Sequence, residues 1–217
     1  MPESQELAAG KFSTWLISTR TALKKDSETD VPCGECNACC RSSQFIHIKP
    51  DEKDTLAHIP EELLFPAPGL PKGYVLMGYD ENGHCPMLKK GACSIYEYRP
   101  ATCRSYDCRI FAATGIRISG KDKALITQQV QRWKFSLADS EDIKEQRAVQ
   151  KAASFLTNKS KLFAPGELPE NSTQLAIMSI KVYDLFLEEG EQSIDDTKRV
   201  KAIMQTWERF DAKGEKL

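Results

Sequence analysis

The chain has 217 residues, 28% of them charged and 41% apolar, the composition of an ordinary globular protein long enough to bury a core. With 30 basic and 31 acidic residues its formal net charge is -1, so no overall field draws it to nucleic acid or an anionic membrane. No apolar run reaches the ~20 residues that span a bilayer, and Lys181 interrupts the best candidate, LAIMSIKVYDLFL.

The chain opens MPESQELAAGKFSTWLISTR, which has no basic segment followed by a continuous apolar one and no small-residue cleavage site. A cytoplasmic location is therefore expected, where thiols are kept reduced and disulfides are disfavoured. Over residues 5 to 24, Leu7, Ala8, Phe12, Trp15, Leu16 and Leu23 recur at helical spacing and predict an N-terminal helix. KKDSETDVP then breaks the pattern with charge and Pro32.

CGECNACC follows, placing Cys33, Cys36, Cys39 and Cys40 within eight positions. Two residues between ligands let the backbone curl so that both sulfurs reach one ion, at ~2.3 Å for zinc. Side chains of adjacent residues diverge. Cys39 and Cys40 are thus poorly placed to share one tetrahedral ion and better suited to two sites or two metals of one cluster.

Next, SSQFIHI alternates like a short strand, and KPDEKDTLAHI predicts a helix with Pro50 in its first turn and Asp51 and Glu52 favouring its dipole. FPAPGLPKG reads as loop, YVLMGYDENGHCPML as a hairpin around DENG, and ACSIY as a short extended piece. Cys85, Cys93, Cys103 and Cys108 complete the eight cysteines, and none follows them.

From Lys121 onward the pattern is helical. Leu125, Ile126, Val130, Trp133 and Leu137 share a face; Asp139 or Ser140 caps the next helix, with Ile143, Ala148, Ala152, Phe155 and Leu156. Asn171 and Ser172 open a third, with Leu175, Met178, Ile180, Val182, Leu185 and Phe186. SIDD at 193 to 196 resembles a capping box before Val200, Ile203, Met204 and Trp207. The expected fold is α+β and mainly helical. It comprises an N-terminal helix (1-30) packing on the rest, a small metal-stapled cysteine-rich domain with short strands (31-118), and a helical region (119-217) of about four helices.

Three close cysteines with a distant Cys-Pro resemble the ligand plan of bacterial ferredoxin clusters. On that analogy Cys33, Cys36, Cys39 and Cys85 hold one iron-sulfur cluster, and Cys40, Cys93, Cys103 and Cys108 hold a second metal. Two zinc ions with four thiolates each fit the same count. Arg41, Lys89, Lys90, Arg99, Arg104 and Arg109, interleaved with the cysteines, are placed to offset thiolate charge and donate to sulfur, or are simply solvated. His47 and His84 are weaker candidates, and Tyr96 and Tyr98 beside Arg99 are better explained by packing than by substrate.

CGECNACC with HCPMLKKGACSIYEYRPATCRSYDC resembles the YkgJ-type cysteine-cluster family of zinc- or iron-chelating domains. The pattern CxxCxxCC, C-P-x-L, G-x-C-x-I-Y and R-P-x-x-C-R is matched at Cys33, Cys36, Cys39, Cys40, Cys85, Cys93, Tyr96, Arg99, Pro100, Cys103 and Arg104. The resemblance covers roughly residues 31 to 110 and implies a metal centre. Flagellin lysine N-methylases resemble the same domain, and other relatives are labelled Fe-S oxidoreductases, which adds the alternative of a metal-dependent enzyme acting on a protein or peptide. Metal storage or delivery is a third reading, weakened by the extent of helical scaffold. The expected cofactor is an iron-sulfur cluster or zinc, in one or two centres, with iron slightly ahead.

No catalytic residue is identifiable. The C-x3-C-x2-C radical spacing fails because the third position is Ser43, and no glycine-rich phosphate loop, H-E-x-x-H or nucleophile elbow is present.

Overall fold

The structure, a computed structural model, describes residues 5-25, 27-29, 31, 34-187 and 195-212. In chain order its regular elements begin with β1 (Leu7–Lys11), α1 (Phe12–Lys25), β2 (Ile46–Ile48), α2 (Lys53–Ala57), β3 (Leu64–Pro66) and β4 (Val75–Met77). They continue with β5 (Leu88–Lys89), β6 (Ala92–Cys93), α3 (Ala101–Ser105), α4 (Arg109–Thr114), α5 (Ala124–Arg132) and β7 (Trp133–Ser136). The last three are α6 (Ser140–Asn158), α7 (Ser172–Val182) and α8 (Asp196–Ala212). The fold is α+β and mainly helical, with a few short strands. Among the described residues no helix is long and apolar enough to cross a membrane.

The chain divides into two compact units. One takes residues 1-27, 108-119 and 130-217, and the other takes 28-107 and 120-129.

In the helical unit, α6, α7 and α8 bury Val149, Leu156, Met178, Ile180 and Ile203 completely. Caps begin two of these helices: the Asp139 carboxylate accepts the Asp142 N–H at 3.0 Å, and the Asn171 side chain accepts the Gln174 N–H at 2.8 Å. Both were expected. Ser193 and Ile194 of the SIDD segment lie outside the described residues, so the expected capping box is not described.

The N-terminal helix is shorter than its periodicity predicts. Residues 7 to 11 form β1, which pairs in parallel with β7. Likewise α5 stops at Arg132, and Trp133 to Ser136 leave helical spacing for β7. WKFS explains the change: two aromatic residues at period two suit a pleated strand better than a helix end. Phe135 meets Phe12 edge-on at 5.1 Å and Trp15 at 4.9 Å.

A bulge between Ala8 and Gly10 interrupts the pairing, with Gly10 at φ 93°, a conformation that glycine adopts without strain. The Ala9 carbonyl at this bulge accepts from the buried Arg109 guanidinium at 3.3 Å.

The second unit is built on a three-stranded antiparallel sheet in the order β2-β4-β3, with Ile46 opposite Met77 and Met77 opposite Leu64. A small core of Ile48, Ile59, Met77, Met87 and Ile95 forms there, and Cys85 and Cys93 pack against it.

The hairpin expected around DENG is replaced by another. Asp80 to Gly83 do turn, with the Gly83 N–H bonded to the Asp80 carbonyl at 2.9 Å, but β4 pairs with β2 and β3 instead of with a strand after the turn. The hairpin is β5-β6, joined by Lys90 (φ 50°) and Gly91 (φ 83°). Two consecutive left-handed residues match the right-handed twist of the strands, and KG supplies them.

Candidate metal centre

Five thiols from four separate stretches of sequence are gathered in the second unit. Cys40 is within electrostatic reach of Cys36, Cys85 and Cys93, and Cys103 is within reach of Cys40, Cys85 and Cys93. Local structure places each one. Cys39 and Cys40 open a tight turn, Cys39–Arg41, and the Cys40 carbonyl accepts the Cys85 N–H at 2.7 Å, joining the first cysteine loop to the Cys-Pro segment. Asn37 donates to the Gly91 carbonyl at 2.9 Å and ties the same loop to the β5-β6 hairpin that carries Cys93.

Cys103 sits on α3. The Glu52 carboxylate fixes the start of that helix, accepting the Ala101 N–H at 2.6 Å and the Lys49 N–H at 2.9 Å. Glu52 was expected to favour the dipole of its own helix; instead it bridges two segments. Thr102 adds a hydroxyl bond to the His47 carbonyl at 2.7 Å.

Burial dominates the electrostatics. It is the main reason that the Cys40 thiol is pushed up to about 11 and the Cys103 thiol to about 12, with neighbouring cysteines adding to both. Cys85 is raised by burial too, but the backbone N–H groups of Met87 and Leu88 face its sulfur and pull the other way. The Leu88 N–H also donates to the Cys85 carbonyl at 2.9 Å, which closes the C-P-x-L turn around the sulfur.

Among the interleaved cations, Arg99 lowers both Cys40 and Cys103. It lies over the Tyr96 ring at 3.7 Å while its Nε donates to the Tyr96 carbonyl at 2.8 Å. Tyr96 thus holds the guanidinium by packing. Arg104 is occupied otherwise: Nη1 donates to the Arg99 carbonyl and Nε to Glu28 at 2.5 Å. Arg109 and Cys108 belong to the helical unit. There the buried Cys108 sulfur accepts the Trp133 indole N–H at 3.2 Å.

Cys33 lies outside the described residues. Cys36, Cys39, Cys40, Cys85, Cys93, Cys103 and Cys108 are all thiols, with no disulfide among them. Among the described residues, no three Cys, His, Asp or Glu side chains are already set to hold a metal ion. The donor chemistry nevertheless fits a thiophilic cation. Soft sulfur donors are gathered, and burial opposes the anionic form of Cys40 and Cys103, a penalty that a bound cation would offset.

The positioning groups Asn37, Glu52 and the N–H groups of Met87 and Leu88 escape a motif reading. Only the last two leave a sequence signal, the C-P-x-L spacing itself.

No curated protein and no solved structure matches the chain. A family model does match residues 32–130: CxxCxxCC, described as a "Putative zinc- or iron-chelating domain". The match takes in all eight cysteines, the five gathered thiols among them. Over residues 32–130 the chain is similar to the CxxCxxCC family.

Proposed function

We propose that the chain binds iron or zinc through its cysteines, with Cys36, Cys40, Cys85, Cys93 and Cys103 as the central ligands and Cys33 and Cys39 completing the set. One observation carries this reading: Cys40, Cys85, Cys93 and Cys103, from four stretches of sequence, lie within electrostatic reach of one another, with Cys36 in reach of Cys40, all partly buried in a unit with a small apolar core. Burying thiols together in this way brings little stability by itself. A thiophilic cation supplies the positive charge that lets them release their protons and bind it as thiolates, and its binding energy, on the order of 10 kcal/mol, then becomes folding energy for a loop-rich segment.

Iron held as an iron-sulfur centre is the favoured ion, on the strength of Cys33-x2-Cys36-x2-Cys39 with Cys85-Pro86. Zinc is the second reading, favoured by the Cys85 turn, whose N–H groups support an isolated thiolate equally well. A reducing compartment such as the cytoplasm keeps the thiols available for either metal. Cys108 stands outside the set in this proposal, because its sulfur serves the buried contact with Trp133.

Single cysteine variants test it by elemental analysis. Cys85→Ser and Cys103→Ser are expected to lose most of the bound metal, whereas Cys108→Ser keeps it. Full metal content in Cys85→Ser and Cys103→Ser would refute the ligand assignment.

A further inference from the structure

We infer that the helical unit holds a binding site for a phosphate monoester with a small apolar body, on the face of α6 that carries Lys144, Arg147 and Lys151. A cavity of about 520 Å³ opens there, and the three cations line it together with Ile143, Phe186 and Leu187. Its volume falls within the range of small-ligand pockets, roughly 300–1,000 Å³.

Helical periodicity puts the cations in one row. Positions 144, 147 and 151 are three and four residues apart, so their side chains leave α6 as a stripe about 10 Å long. All three are exposed. The acids of α6 do not balance them. Asp142 is buried and accepts N–H groups from Ser13 and Ala138, and buried Glu145 accepts the Tyr183 hydroxyl at 3.4 Å. Among the described residues no acid lines the cavity, and Lys144 and Arg147 form no ion pair.

Apolar surface faces the same space. Ile143 stands 37% exposed beside the stripe, and Phe186 and Leu187 line the cavity from just past α7. The combination selects the ligand. A phosphate monoester carries close to two negative charges at neutral pH, on three acceptor oxygens. The Arg147 guanidinium offers a two-pronged fork to such a group, and the two ammonium heads add point charges. A carboxylate would bring a single charge to three cations. Inorganic phosphate would leave the apolar lining wet, and a neutral apolar molecule would leave the cations uncompensated. The site uses none of the proposed metal ligands, which belong to the other unit.

The test titrates the full chain, as purified, with phenyl phosphate, inorganic phosphate and phenol by calorimetry at low ionic strength. Phenyl phosphate is expected to bind about tenfold more tightly than inorganic phosphate, the scale of burying part of one ring. Phenol is expected not to bind. Arg147→Gln is expected to weaken phenyl phosphate about fivefold, the scale of a charge-assisted contact. Ile143→Gln is expected to shrink the advantage over inorganic phosphate while leaving inorganic phosphate as before. Both side chains are exposed on α6, and metal content measured alongside is expected to stay unchanged. No saturable binding of phenyl phosphate, equal affinity for the two phosphates, binding that Arg147→Gln leaves intact, or a preference that survives Ile143→Gln in full would overturn the assignment.

Discussion

At Cys40 and Cys103, ligands in the proposed centre, burial makes the thiol reluctant to ionise, and a metal ion would have to overcome that reluctance. With pKa values near 11 and 12 against an ordinary 9.0, both carry their protons at neutral pH in the metal-free fold. Metal uptake at pH 7 must therefore expel both protons, and affinity must fall as pH falls. An unbuffered titration with the metal ion is expected to release at least two protons per centre; release of none would contradict thiolate ligation by these residues.

The sign for the metal-free fold is the opposite of the usual carboxylate case. A raised thiol pKa favours the folded protein while the thiol is neutral, so this stability is complete below pH 9. It is lost as pH rises through 11 to 12. Metal addition reverses the preference because the bound form is the thiolate.

Secondary-structure elements divide into those that announce themselves and those that need a distant partner. The caps at Asp139 and Asn171 are local signals, and both are found where the sequence puts them. β1 and β7 are not local. Leu7 to Lys11 looks helical until Trp133 to Ser136 is alongside, and parallel pairing of two segments so distant leaves no mark on either one alone. DENG fails for a related reason: the turn forms, but the competition for β4 is won by β2 and β3.

The join between β7 and α6 carries a charge device at this scale. Asp142 is fully buried and accepts N–H groups from Ser13 at 2.9 Å and Ala138 at 2.8 Å, with Lys11 at 3.9 Å. Burial alone would raise its pKa, but these donors outweigh it and hold the carboxylate down to about 2. A depressed carboxylate stabilises the fold above its unfolded value of 3.8, and that contribution disappears as pH falls toward 2. Thermal melts between pH 5 and pH 2 are expected to show a steeper loss for the natural protein than for Asp142→Asn, which is already weaker at pH 5. Parallel curves would show that Asp142 does not act through its charge.

On the scale of the whole molecule, the fold class and the metal-binding character of residues 32–130 were both legible in the cysteine spacing and the helical C-terminal pattern. Spacing works for the cysteines because the curl of a short loop brings i and i+3 sulfurs to one ion, whatever the rest of the chain does. What spacing does not encode is the grouping of distant segments. Cys108 follows Cys103 closely in sequence, yet it belongs to the helical unit and answers to Trp133. The edge-on contact of Phe45 with Phe65 is equally hidden, since strand register brings the two together.

Iron, zinc and acid-labile sulfide, quantified together with free thiols in protein isolated without oxygen, test the central claim most directly. At least one equivalent of iron or zinc per chain is expected, with sulfide accompanying iron and no thiols lost to disulfides. A natively folded chain that carries neither metal, or whose cysteines are oxidised in pairs, would contradict it.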